Sequence, residues 1–256
     1  MRKRKKKAPE RGFVIDRGIS PIDGKPYVAI LTLKSDNGKT GNVCQVWIIR
    51  PDIHPLDAIA TGEDRTICGD CPHRRRQVWD AKRKQFKWQR SCYVQVGKSV
   101  SVIWHAYQRG LYRDWDPCLS TFLRGRRIRW GAYGDPAIIK ESVVRDKNAL
   151  ADAHTGFTHQ WAAPWAQWAV GLFQASCDSF ADYLAASAAG WKTFAVVPRG
   201  DSAFSGKQCP ATVDNSQAKC ITCSLCNGAK TDIFVEAHGA GASYVQAQPI
   251  PELCKL

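Results

Sequence analysis

Apolar and polar positions alternate in short blocks separated by Gly, Pro and Asn, the signature of many brief elements rather than long helices. "PYVAILTL" (26–33) and "NVCQVWIIR" (42–50) predict a strand pair around the turn-forming "KSDNGKTG". From about residue 126 strands and helices alternate. "RRIRWGAYG" predicts a strand, with Asp135 and Pro136 as N-cap and first residue of a helix over "PAIIKESVVRDKNAL". "GLFQASC" predicts the next strand, and Asp178 is placed to cap "SFADYLAASAAG", which Gly190 stops. "WKTFAVVP" and "TDIFVEAHG" close the series. A strand, helix and strand within about thirty residues meets the requirement of a parallel βαβ crossover.

The expected class is therefore α/β: a partial or distorted β/α barrel, or alternatively an open parallel sheet, carrying cysteine-ligated metal sites. The chain divides into three segments: a basic disordered arm over 1–25, a strand-rich segment over 26–125, and a β/α segment over 126–256. In parallel β/α layers ligand groups gather at the C-terminal strand ends. "YGDP" (133–136), "ASCDS" (175–179) and "VPRGD" (197–201) fall there.

A formal net charge of +14 over 256 residues points to a polyanionic partner, nucleic acid above all. "MRKRKKKAPERG" lacks the apolar core of a secretory signal, and no stretch reaches the roughly 20 apolar residues of a membrane span. The expectation is a cytoplasmic protein with no membrane partner. In that compartment closely spaced cysteines serve metals more often than disulfides, and the count of eleven is odd.

The cysteines form two groups. Cys209, Cys220, Cys223 and Cys226 have the spacing C-x10-C-x2-C-x2-C. An overlapping C-x2-C-x2-C run with a remote Cys-Pro matches the local pattern of a ferredoxin-type 4Fe–4S site, although ferredoxins place Cys-Pro after the run. Zinc on the same four thiolates is the alternative. Cys68, Cys71 and Cys92 form a three-cysteine group without an obvious fourth ligand; Cys44, Cys118, His73 and His105 are the candidates. A 4Fe–4S cluster held there would keep one iron open, as in radical enzymes that bind S-adenosylmethionine, but their C-x3-C-x2-C loop is absent. A structural zinc site with one distal ligand is the other option. Cys177 and Cys254 read as core or tail residues.

The insertion between Cys71 and Cys92 is basic and aromatic, with Trp79, Phe86 and Trp88 among Arg74, Arg75, Arg76, Lys82, Arg83, Lys84 and Lys87. Such a loop can hold phosphates and stack bases, and Arg124, Arg126 and Arg127 extend the pattern. The alternative is a solvated face with tryptophans packed inward. "HTGFTHQWAAPWAQW" (154–168) carries His154 and His159 five apart, which is not the i,i+4 spacing of a helical metal pair. Asp135, His159, Asp178 and His238 lie near expected strand ends and are the candidate acid–base groups. No pattern among them assigns a reaction.

Taken together, "ICGDC…RSCYV", "YGDPA", "TGFTHQW", "GWKTF" and the C-terminal "CPA…CxxCxLC…HG" resemble a family of cysteine-rich proteins encoded by bacteriophages and related mobile elements. The resemblance spans about residues 62–239. It implies a phage or mobile-element origin, hence a host-cell cytoplasm, and brings no established biochemical role. The functional expectation is a metalloprotein that binds nucleic acid through a basic arm and loop, in replication, repair or modification. Two alternatives stand beside it: an iron–sulfur enzyme of S-adenosylmethionine or redox type acting on a small molecule, and a structural zinc interaction protein.

Overall fold

The structure, a computed structural model, describes residues 11–237 apart from 36, 81, 201–203 and 214–215. The arm residues 1–10, His238 and Cys254 lie outside the described residues.

The chain opens with β1 (Gly12–Ile19), β2 (Pro26–Thr32) and β3 (Cys44–Ile49), a three-stranded antiparallel meander. Residues 12–19 were expected within an unstructured arm. The run GFVIDRGI hides its strand character because a β-bulge between Val14 and Asp16 breaks the alternation, and because Asp16 is buried. That carboxylate is held by Tyr27 Oη at 2.6 Å and Lys140 Nζ at 2.9 Å, so a charge stands where an apolar residue is the usual signal.

After β3 come two short helices, α1 (Pro55–Thr61) and α2 (Arg65–Cys68). An isolated hairpin is next, β4 (Arg76–Asp80) with β5 (Gln85–Gln89). It leads to α3 (Ser101–Gln108), the short β6 (Arg113–Asp114), β7 (Arg127–Tyr133) and α4 (Glu141–Leu150). The helix expected from Pro136 is split. Pro136–Ile138 make a single 3-10 turn capped by Asp135, and α4 begins afresh at Glu141.

The remaining elements are β8 (Ala153–Thr155), β9 (Phe157–Thr158), β10 (Gln174–Cys177), α5 (Phe180–Ala188), β11 (Thr193–Val197), β12 (Lys207–Gln208), α6 (Cys220–Cys223) and β13 (Ile233–Glu236). The cap of α5 is Ser179, one residue past the expected Asp178. Its Oγ accepts the Asp182 N–H at 3.0 Å, the N-cap bond, and donates to the Asp182 carboxylate at 2.7 Å. Asp178 is thereby left for other work.

Two sheets result, in the orders β6-β1-β2-β3-β7-β8 and β12-β13-β11-β10-β9. The pairs from β3 to β7 to β8, and all those of the second sheet, are parallel. Gly156 alone separates β8 from β9 and carries the chain from one sheet into the other. A Cβ there would lie 2.5 Å from the Phe173 ring, so only glycine permits the approach. One apolar core serves both sheets, with Trp130, Phe13 and Phe173 fully buried. The architecture is mixed α/β with parallel sheets and several helices. Among the described residues no helix is long and apolar enough to cross a membrane.

Candidate metal centre

A parallel strand run puts its C-terminal ends on one side, and there a cavity of about 360 Å³ opens. Its wall includes Cys68, Cys71 and Cys92 from the N-terminal group and Cys209, Cys220 and Cys226 from the C-terminal group. The two cysteine groups, expected as separate sites, thus share one cavity. A volume of this order suits a small ligand.

The three-cysteine group is positioned by the segment between β3 and the hairpin. Arg50 at the end of β3 is buried and bonds Glu63 and Thr66, each at 2.9 Å, fixing the start of α2. Cys68 is the last residue of α2, and Gly69 turns the chain toward Cys71 with φ 59° and ψ −142°. The segments "YGDPA" and "TGFTHQW" close around this turn. Asp135 N donates to Ile67 O at 2.6 Å, and Gln160 Nε2 donates to Cys68 O at 3.4 Å. Trp161 Nε1 donates to Ser176 O at 3.1 Å, tying the end of β9 to β10.

Beside Cys71 stands a compact polar cluster. His159 Nε2 is 3.7 Å from Cys71 Sγ and 3.1 Å from Asp178 Oδ2. The other oxygen of Asp178 is 2.9 Å from His73 Nε2, whose Nδ1 is 2.8 Å from Ser91 Oγ. The ligand atoms of His73, His159 and Asp178 all lie within 4.8 Å of one another, close enough to share one metal ion. Burial alone raises the Asp178 carboxyl, but hydrogen bonds from His159 and His73 outweigh it and hold it well below the ordinary carboxylate range. Burial lowers His159, yet its contacts with the Cys71 sulfur and the Asp178 carboxylate prevail and leave it well above its usual value. Asp135, fully enclosed and raised by burial, accepts the His159 and Ala137 backbone N–H groups at 2.8 and 3.0 Å.

Of the candidate acid–base groups, Asp135, His159 and Asp178 come together. Of the candidate fourth ligands, only His73 lines the cavity. Cys44 is buried in β3, Cys118 is exposed in a turn capped by Asp116, and His105 packs against His54 and Trp104 on α3. The imidazole in contact with Cys71 is His159, which the sequence pairs by spacing only with His154. The Gly156 bend separates that pair, and His154 turns away to Leu172 O at 2.9 Å. The bend's requirement for glycine within "HTGFTH" is the one signal that could have found this separation. Cys177, expected as a core residue, is indeed buried at the end of β10.

The four-cysteine group lies at the other side of the cavity, and all four residues also line a second, smaller pocket. Cys209 comes directly after β12, with its N–H on Phe234 O at 2.8 Å. Cys220 and Ile221 donate to Lys39 O and Thr40 O at 3.3 and 3.0 Å, anchoring the run on the β2–β3 loop. Cys226 O accepts the Gly156 N–H at 3.1 Å, which links this group to the bend between the sheets.

Burial raises the Cys68, Cys92, Cys209, Cys220 and Cys226 thiols. As they stand they are neutral thiols, and metal binding would release their protons. Among the described residues no three cysteines bring their sulfurs within 4.8 Å of one another. A tetrahedral ion with Zn–S near 2.3 Å requires about 3.8 Å between sulfurs. Two buried donors on the cavity wall, Tyr133 Oη and Arg90 Nε, have no hydrogen-bond partner in the protein. Tyr133 lies in the electrostatic surroundings of the Cys68 and Cys92 sulfurs, and Arg90 in those of Cys92. Orphaned donors beside thiols fit a group rich in sulfur acceptors.

The basic residues divide. Arg74 is committed to Asp64 at 2.6 Å and to the Gly69 and Gly62 carbonyls. Arg126 donates to Leu33 O at 2.7 Å, and Arg127 to Ser224 Oγ. Lys87 pairs with Asp80 at 3.0 Å, and Arg75 donates to Ala60 O at 2.8 Å. Arg76, Lys82, Arg83, Lys84 and Arg124 are exposed. No family model matches the chain, and no curated protein or solved structure gives a significant match.

Proposed function

We propose that this protein is an iron–sulfur enzyme working in the strand-end cavity of a partial β/α barrel, in a reducing, cytoplasmic compartment. Cys68, Cys71 and Cys92 would hold one 4Fe–4S cluster; Cys209, Cys220, Cys223 and Cys226 would hold a second, closed one. When bound, the three-thiolate cluster supplies an iron with an open coordination position, for a small chelating ligand such as S-adenosylmethionine or for electron exchange. The observation that carries the reading is the pairing of three half-buried cysteines with two orphaned donors, Tyr133 Oη and Arg90 Nε, on the wall of one cavity.

The chain's own residues have distinct tasks in this proposal. Asp178 holds His73 and His159 in place, and His159, beside Cys71, is set to hold a proton at Nε2 at the edge of the cavity. Asp135 fixes the His159 backbone. Arg74, Arg90 and Arg129 line the cavity and offset the negative charge of thiolate ligands.

A second reading is favoured by the triad itself: one zinc or ferrous ion on His73, His159 and Asp178 with Cys71 as neighbour. Anaerobic purification separates the two. The iron–sulfur reading expects brown protein, absorbance near ~400 nm and about eight irons per chain, halved when Cys68, Cys71 and Cys92 are replaced by alanine. Colourless protein with a single equivalent of metal, lost on His159→Ala, would overturn it.

A further inference from the structure

The β4–β5 hairpin is inserted between Cys71 and Cys92, and its construction is unusual for a soluble surface. Two five-residue strands alone are marginal in water, so the hairpin depends on its base. The base is well tied: Cys92 N donates to His73 O at 3.0 Å, and Arg90 donates to the Cys92 and Val94 carbonyls at 3.0 and 3.2 Å. Those base residues, His73, Arg90 and Ser91, also line the cavity.

Above the base the register puts Gln77 opposite Trp88 and Trp79 opposite Phe86, so the three aromatic side chains share one face. That face is not packed on the body of the protein: Trp79, Phe86 and Trp88 are 56, 65 and 55 % exposed. Trp79 and Phe86 meet edge to face at 5.3 Å, and the Arg75 guanidinium lies 4.0 Å over the Trp88 ring. At the tip the Asp80 carboxylate accepts the Lys82 and Arg83 N–H groups, forming a turn that presents Lys82, Arg83 and Lys84 to solvent. Exposed rings in a row, flanked by cations, form the standard combination for unpaired nucleobases and their phosphates. A duplex hides the base faces such rings would stack on.

We infer that the hairpin is a docking platform for single-stranded nucleic acid, and that the substrate of the cavity is a nucleotide within such a strand. The second half rests on the cavity being the reaction site, as proposed above. A strand lying on the rings is led by the hairpin's base to the cavity mouth, where a base turned out of its stack can enter.

The test uses full-length, anaerobically purified protein and fluorescein-labelled oligonucleotides of about 20 nucleotides, single-stranded and duplex, followed by anisotropy. Single strands should bind more tightly than the duplex. Trp79→Ala/Phe86→Ala/Trp88→Ala should weaken single-strand binding about ten-fold or more while leaving iron content and melting temperature unchanged. Lys82→Ala/Arg83→Ala/Lys84→Ala should instead reduce the salt dependence, by about two in the log–log slope for three lost phosphate contacts. Oligonucleotide addition should shift the electron paramagnetic resonance signal of the reduced protein.

Equal affinity for duplex and single strand, or full affinity in the ring-free variant, overturns the docking platform. So does binding to phosphatidylserine vesicles in place of oligonucleotides. Ring-dependent binding with an unshifted resonance signal overturns the substrate assignment. Colourless protein that still discriminates by its rings supports the platform and sinks the iron–sulfur reading alone.

Discussion

Gly69→Ala isolates the turn that presents the three-cysteine group. Gly69 adopts φ 59°, ψ −142°, a region costing a residue with a Cβ about 1–3 kcal/mol. The new Cβ would also stand 2.2 Å from Gln160 Nε2 and 2.6 Å from its Cδ, an overlap the flexible amide relieves only by swinging away. Doing so breaks its 3.4 Å bond to Cys68 O, a long contact worth about 0.5 kcal/mol. Together the loss is about 1.5–3.5 kcal/mol, or roughly 3–14 °C in melting temperature for a chain of this size. Gln160→Ala alone should cost only the hydrogen bond and some packing, about 1 kcal/mol. The double variant should then be less destabilised than the sum of the singles, because the hydrogen bond is lost in both singles and truncating Gln160 removes the clash. Circular dichroism melts of the four proteins close the cycle, and thiol-labelling rates of Cys68 and Cys71 report locally. Strict additivity, or a Gly69→Ala protein melting within about 1 °C of the parent with unchanged labelling, would refute the described contact.

Arg74→Ala should destabilise the fold by about 3–5 kcal/mol, since it strands the buried Asp64 carboxylate, whereas Arg76→Ala on the exposed hairpin should stay within about 0.5 kcal/mol; denaturant melts compare them. His154 is held below its ordinary value by burial, so the folded state binds its proton less well than the unfolded chain does. Its contribution is complete above about pH 6.5 and is lost as pH falls through that value toward the folded one, with a slope of at most about 1.4 kcal/mol per pH unit. His154→Gln should flatten that part of the stability profile in urea melts between about pH 5 and 7. Tyr133→Phe removes an orphaned donor beside Cys68 and, on the iron–sulfur reading, should lower the reduction potential of the three-cysteine cluster without altering iron content. An unchanged potential in protein-film voltammetry would remove Tyr133 from the site.

The amino-acid sequence by itself determined the local elements whose signals are short-range. The apolar runs at 26–33 and 42–50, the βαβ unit around α5 and the cysteine spacings were all legible, because turn residues and short apolar runs act over a few neighbours. It did not reveal β1, where a bulge and a buried aspartate mask the pattern. Nor did it separate the arginines held in the body, such as Arg74 with Asp64, from those left in solvent, since identical side chains differ only in what the fold places beside them.

The site was decided by tertiary structure alone. Cys71 and His159 are 88 positions apart and 3.7 Å from each other, and Asp178 reaches both His73 and His159 from the end of β10. Parallel strands send their C-terminal ends to one side whatever residues they carry, so which side chains meet there depends on strand order. That order rests on pairings far apart in the chain, and the sharp turn at Gly156 passes the parallel run from one sheet into the next. The same long-range order joins two cysteine groups, separated by more than a hundred residues, into the wall of a single cavity.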